Sequence, residues 1–218
     1  MTFLYNYSSP LGEITMAGEE NALTGLWLEG QKYFAAELPD NTEYRKIPVF
    51  DEAAKWLDIY FSGKEPDFDL PMLLRGSRFR MIVWEILRTI PYGCTMSYGQ
   101  IASKAAEKLG LERMSPQAVG GAVGHNPVSI IIPCHRVVGS DGSLTGYAGG
   151  IEKKIELLKL EKVDMTKLFN PSLPQKNSRN PGLTAYPLRT PQKINNIRYR
   201  NSTSPPNMKE KIFETGIF

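Results

Sequence analysis

Cysteine and histidine are scarce in this chain: Cys94, Cys134, His125 and His135 are all that its 218 residues contain. Two thiols cannot build a disulfide framework. A closed zinc site takes about four nitrogen or sulfur ligands and would have to use all four residues, two of them adjacent, so no metal is expected. Long apolar runs are also missing. Nothing approaches the roughly 18 consecutive apolar residues of a membrane span. The first residues, MTFLYNYSSPLGEIT, lack the basic and then apolar segments of a secretory signal. These absences predict a cytoplasmic protein with no membrane attachment and both thiols free.

A strong excess of one charge is lacking too. Residues 1–162 hold 17 lysines and arginines against 20 aspartates and glutamates, while residues 163–218 hold 9 against 3. The formal net charge of +3 therefore comes from the C-terminal part. Any nucleic-acid binding by the body would rest on a local patch rather than on global charge. A hydrophobic content of 41% with 22% charged residues is ordinary for a globular protein with a real core.

Residues 1–40 predict two or three antiparallel strands, β-prone runs cut by Ser-Pro, Gly and Glu-Asn turn signals. DEAAKWLDIYFS, 51–62, predicts an amphipathic helix with Ala54, Leu57 and Phe61 inward. The turn-rich GKEPDFDLPMLLRG then marks a boundary between an N-terminal domain, 1–75, and a second domain, 76–162. SRFRMIVWEILRT, 77–89, is a helix capped by Ser77, with Phe79, Ile82, Val83, Ile86 and Leu87 on one face.

SYGQIASKAAEKLG, 97–110, is capped by Ser97 and closed by Gly110, and SPQAVGGAVGHN has Ser115 as cap and Pro116 at the first helical position. Two short helices joined by a tight turn fit either an ordinary αα-hairpin or a helix-turn-helix. The second helix carries Gly120, Gly121 and Gly124, each costing about 1 kcal/mol relative to alanine in a helix interior. Residues this small admit another backbone, of protein or of nucleic acid. GIEKKIELLKLE, 150–161, is a further amphipathic helix with Ile151, Ile155 and Leu158 inward and Leu157 a further candidate for that face. From about 163 the chain is rich in Pro, Asn and Ser without sustained period, so 163–218 reads as a disordered basic tail.

The stretch IIIPCHRVVG, 130–139, carries the chemistry. Ile130, Ile131 and Ile132 read as a buried strand ended by Pro133, and a cysteine and a histidine follow at once. A thiolate is a strong nucleophile when its pKa is lowered or a base stands near. Adjacent side chains of an extended chain point to opposite sides, so Cys134 and His135 need a bend or a bridging water to cooperate. A third group, usually a buried carboxylate, would have to orient the imidazole. The plainer alternative is an inert core cysteine.

PCHRV at 133–137, the upstream HNP at 125–127 and the downstream GYAGG at 146–150 stand together in one order. In this, the chain resembles the O6-alkylguanine-DNA alkyltransferases, or methylated-DNA–protein-cysteine methyltransferases. The match runs over about 77–162 and more loosely over SSPLGEIT and LTGLWLEGQ. The resemblance implies an α/β ribonuclease H-like N-terminal domain with a three-stranded antiparallel sheet. A mainly α C-terminal domain with a helix-turn-helix would follow. It implies stoichiometric, self-inactivating transfer of an alkyl group from O6-alkylguanine in double-stranded DNA to Cys134, without a cofactor. His135 would relay a proton through a water, held by Glu161, and Asn126 would hold the segment that carries the cysteine. Tyr98 would crowd the 3′ phosphate and help to rotate the nucleotide out of the duplex. Gln117, Ala118 and the rest of the Gly-rich helix would lie in the minor groove. Val137, Tyr147, Ala148 and Gly149 would line the guanine pocket, and Ser140 would contact DNA. A monomer is expected.

Two departures stand out. Gln117 occupies a position where many members of the family have an arginine that fills the hole left by the flipped base. The basic tail is also unusual for the family, and is either a nonspecific DNA-binding arm or an unselected extension. Competing functions are a noncatalytic protein that binds alkylguanine lesions, and a thiol hydrolase or peroxidase. Retention of Cys134, His135 and Glu161 speaks against the first, and the Gly-rich helix has no role in the second.

Overall fold

The computed structural model describes residues 1–173 apart from 37 and 40. Strands β1 (Thr2–Ser9), β2 (Gly12–Glu19) and β3 (Ala22–Leu28) form an antiparallel meander. A short β4 (Thr42–Tyr44) adds parallel to β1, giving the order β3-β2-β1-β4. The sheet is therefore four-stranded and mixed, not the three-stranded antiparallel sheet expected. TEY is too short a run to register as a strand without the neighbour that supplies its hydrogen bonds.

Helix α1 (Pro48–Phe61) lies on this sheet. Gly18 of β2 lets it close in, since a Cβ there would meet Ile47 and Phe50 at 3.1 Å. The buried face of α1 is Val49, Phe50, Ala53, Trp56, Leu57 and Tyr60. The expected face of Ala54 and Phe61 was thus out of phase, with Leu57 alone correct. Pro48 starts the helix earlier, and Trp56 and Tyr60, one turn apart, take the inward stripe and push Phe61 to its flank.

Helices α2 (Arg78–Arg88), α3 (Tyr98–Leu109) and α4 (Pro116–Gly124) pack against one another. The caps are those the sequence predicts. Ser77 accepts from Arg80 N, Ser97 forms a reciprocal capping box with Gln100, and Ser115 accepts from Gln117 N. Gly110 ends α3 in the left-handed conformation, φ 68°. On α2 the inward face is Val83, Trp84, Ile86 and Leu87, with Phe79 and Ile82 only half-buried. The Trp84 indole donates to Ala122 O at 3.0 Å, which ties α2 to α4. The two-residue strands β5 (Met96–Ser97) and β6 (Val137–Val138) pair in parallel, and α5 (Ile151–Leu160) follows.

Two further expectations are corrected. Ile130–Ile132 is not a strand but a turn, in which Ile130 is fully buried at a φ of 70°. A β-branched residue in that region is strained, and the tight fold of the segment on its neighbours holds it there. The chain also continues to pack after 162. A 3-10 turn at Met165–Lys167 and Leu168 cover Val138, Leu144 and Leu158, and Leu144 N donates to Phe169 O at 2.8 Å. Gly142, at φ 87°, sits where any Cβ would strike Lys167 O. The apolar residues of 163–169 are too few to show a period, yet each has a partner. The remainder of the predicted tail, 174–218, lies outside the described residues.

Candidate active site

The segment that carries the cysteine is bonded onto the free edge of β3. Leu26 N donates to Pro127 O and Ser129 N to Leu26 O, both at 2.8 Å. Gln31 supports the same place from below, accepting from Ser129 Oγ at 2.8 Å and from Leu28 N at 3.2 Å. Asn126 then works as a clamp. Its Nδ2 donates to Ile132 O at 2.8 Å and stands 3.1 Å from Cys134 Sγ, while its Oδ1 accepts from Val128 N at 3.1 Å.

Cys134–Arg136 form a single 3-10 turn. This bend replaces the extended geometry that would have thrown Cys134 and His135 to opposite sides. Both are buried. His135 Nε2 lies 2.7 Å from Glu161 Oε1, at the C-cap of α5. Its Nδ1 has no hydrogen-bond partner among the described residues. Arg136 forks onto the same carboxylate, Nε to Oε2 at 2.8 Å and Nη2 to Oε1 at 3.0 Å, and donates to Ile90 O through Nη1. Gly93 N adds a bond to Oε2 at 3.3 Å.

Burial opposes ionisation of Glu161, but hydrogen bonding and charge from His135 and Arg136 outweigh it and hold the carboxyl at about 2. Burial pulls His135 below its ordinary value, helped by the positive charges of Arg136 and Lys154 and resisted by Glu161. The imidazole is therefore neutral, and the forked Arg136 supplies the permanent positive charge beside Glu161. The neutral tautomer that fits has its proton on Nε2, toward Glu161, and leaves Nδ1 free to accept one. Burial pushes the Cys134 thiol up. The Asn126 hydrogen bond, the Lys154 charge and the amides of Cys134 and His135 pull it back.

Sequence reasoning missed three of these participants. Arg136 is inside the quoted PCHRV motif, yet its role was not seen. Lys154 is fully buried on α5, where Ile151 and Ile155 had been expected to point inward. Its Nζ donates to Val137 O at 2.5 Å and Thr145 O at 2.8 Å, which joins the two segments around the cysteine. Burial lowers its ammonium to about 8. Tyr60 reaches the cluster from α1, donating to Glu161 Oε1 at 2.7 Å. A lysine or tyrosine within an amphipathic pattern gives no signal of this.

The other expected residues divide into two groups. Tyr98 and Tyr147 stand near Cys134, Val137 follows its turn, and Ala148 and Gly149 lie beside Tyr147. Tyr98 Oη donates to Thr145 O at 3.2 Å and Gly146 O at 3.3 Å, and burial with the nearby Cys134 raises its hydroxyl to about 12. Val137 pairs with Met96, the Tyr147 hydroxyl is buried with no partner among the described residues, Ala148 O accepts from Lys32 N, and Gly149 is closed over by the Tyr147 ring and Leu28. Gln117, Ala118 and Ser140 are exposed. His125 caps α4, its Nδ1 2.7 Å from Gly121 O and its ring stacked on Tyr33 at 4.0 Å. Cys94 is exposed.

The α4 glycines are not explained by protein packing. A Cβ at Gly121 would meet nothing within 4 Å, and at Gly120 and Gly124 only ordinary contacts with Tyr98 and Tyr33, at 3.8 and 3.9 Å.

Comparison with known proteins gives the following. The family described as 6-O-methylguanine DNA methyltransferase, ribonuclease-like domain, matches residues 4–74, and its DNA binding domain matches residues 78–163. A methylated-DNA–protein-cysteine methyltransferase of Mycobacterium tuberculosis is 46% identical over 155 residues, 71% of this chain and 88% of the relative. The one of Haemophilus influenzae is 38% identical over 166 residues, 75% of this chain and 89% of the relative. A crystal structure of Mycobacterium tuberculosis OGT in complex with DNA superposes with a TM-score of 0.63 at 42% identity, covering 73% of this chain and 92% of that one.

Proposed function

Because the chain belongs to the 6-O-methylguanine DNA methyltransferase family, and so transfers methyl groups from methylated DNA to a protein cysteine, we propose that the acceptor is Cys134 and the donor O6-alkylguanine in duplex DNA. The observation that carries this is the buried cysteine held by Asn126, in one turn with a His135 that burial keeps neutral and Glu161 orients.

The thiol proton passes to His135 Nδ1 through a water. The sulfur attacks the alkyl carbon, an S–C bond forms and the C–O bond to guanine O6 breaks. The electron pair leaves with the guanine, which takes up a proton from a neighbouring donor, a role for Tyr98 Oη. No group in the site can reverse a thioether, so each molecule reacts once and no cofactor is needed.

The lesion cannot be reached inside a duplex and has to be flipped out. Helices α3 and α4 serve as a helix-turn-helix, with Gln117, Ala118 and the exposed Gly121 set against the minor groove and Ser140 on the backbone. Val137, Tyr147, Ala148 and Gly149 line the base pocket. The N-terminal domain, 1–75, supports the acceptor domain, 76–162. The chain acts as a monomer in the cytoplasm, where the thiol stays reduced.

The test is intact mass after mixing the protein with a duplex bearing one O6-methylguanine. The expected result is a gain of one methyl per protein, absent in Cys134→Ser. Lesion binding without that gain would overturn transfer in favour of lesion recognition alone.

A further inference from the structure

Tyr60 belongs to α1, 75 residues before His135 and 101 before Glu161, and is fully buried among them. Its ring is fixed on all sides. It stacks on Trp56 at 5.4 Å and meets Phe61, Tyr92 and His135 edge-on. A phenylalanine would fill that space equally well, and a buried hydroxyl is a liability unless it is bonded. This hydroxyl is bonded to one atom that matters: it donates to Glu161 Oε1 at 2.7 Å and stands 3.3 Å from His135 Nε2.

Oε1 thereby accepts from Tyr60, His135 and Arg136, and Oε2 from Arg136 and Gly93 N. Each donor on Oε1 fixes its position and takes a share of its charge. What Tyr60 takes is not available to stabilise a protonated imidazole. We infer that Tyr60, supplied by the N-terminal ribonuclease-like region, is a positioning residue for alkyl transfer, fixing Glu161 Oε1 and limiting its charge so that His135 stays neutral with Nδ1 free. This rests on the reading of Cys134, His135 and Glu161 given above.

The groups facing His135 allow the direction to be worked out. Glu161 at the end of α5 favours the imidazolium. Arg136 from the same turn and Lys154 from α5 disfavour it, and Cys134, Tyr60 and Tyr147 are neutral when protonated. Tyr60→Phe removes the 2.7 Å donor from Glu161 together with the longer, 3.3 Å contact to His135 Nε2, and the shorter bond dominates. The carboxylate then binds an imidazolium more strongly, and His135 protonates at higher pH.

The experiment is the single-turnover rate of methyl transfer to the full chain, followed by intact mass across the acid and neutral range. Tyr60→Phe is expected to move the acid limb of the profile up by about half a pH unit and to lower the plateau by about threefold to tenfold, the net worth of one ordinary hydrogen bond. A ring-fluorinated tyrosine at position 60, a stronger donor of the same shape, is expected to move the limb down, and carries the test alone if Tyr60→Phe does not fold. A wild type that transfers methyl while the limb stays fixed in both variants overturns the role of Tyr60, even if the rate falls. A wild type that transfers no methyl overturns the underlying reading instead. Nuclear magnetic resonance titration of the His135 imidazole then decides for or against Tyr60, by whether its midpoint moves in the same two directions.

Discussion

His135 Nε2 and Glu161 Oε1 are 2.7 Å apart, and neither side chain reaches solvent. The same carboxylate holds the Arg136 guanidinium, so the site contains a buried ion pair as well as an orienting hydrogen bond. Removing one partner of such a pair leaves the other uncompensated.

Glu161→Gln is therefore expected to destabilise the protein by about 3–5 kcal/mol in urea denaturation near neutral pH. Glu161 is held at about 2, below its ordinary 4.5. Its contribution is present above about 4.5 and is lost as the pH falls toward 2. The difference between wild type and variant should shrink over that window, and a difference that persists unchanged at its acid end would show that the ion pair is not its source.

Asn126→Ala should act on both structure and reactivity. It leaves the Val128 amide without its partner, a loss of about 1–3 kcal/mol for a buried group, removes one of the two donors on the Ile132 carbonyl, which keeps Cys134 N, and takes away the hydrogen bond that lowers the Cys134 thiol. The rate of Cys134 alkylation by a small haloacetamide, measured against pH and resolved from Cys94 by peptide mass, should rise only at higher pH than in the wild type.

Gly121→Ala separates stability from binding. The site has room for a methyl group, and alanine in a helix interior is favoured by about 1 kcal/mol. The thermal midpoint should rise while affinity for duplex DNA falls. A variant that is more stable and binds equally well would remove this face of α4 from the DNA interface.

Gln117→Arg should speed repair of a duplex substrate. Gln117 is exposed at the start of α4, where a longer cationic side chain could enter the stack and pair with phosphate. The dependence of duplex affinity on salt should steepen by about one in the log–log slope. Equal repair rates for the two proteins would show that the charge is not what the position needs.

Much of the protein is legible in its sequence because the signals are local. Ser77, Ser97 and Ser115 announce helix starts through their own hydrogen bonds to the next turn, and Gly110 announces an end through the backbone conformation it permits. The order HNP, PCHRV and GYAGG singled out Asn126, Cys134 and His135, which the fold brings into one cluster with Glu161. The inward faces of α1 and α5 were less legible. A helical pattern shows which residues share a stripe but not which stripe the partner covers, so Phe61 was taken for Tyr60 and Ile155 for Lys154.

The sequence by itself pointed to the candidate nucleophile, the caps of α2, α3 and α4 and the family, because each depends on residues close together in the chain. Tertiary structure alone decided that Ile130–Ile132 is a strained turn bonded to the edge of β3 and not a strand. It alone brought Tyr60 from α1 onto Glu161, seated Lys154 under Val137 and Thr145, and gave residues 163–169 a surface to pack on. In each case the deciding partner is distant in the chain, and a buried polar group settles where distant donors and acceptors can satisfy it.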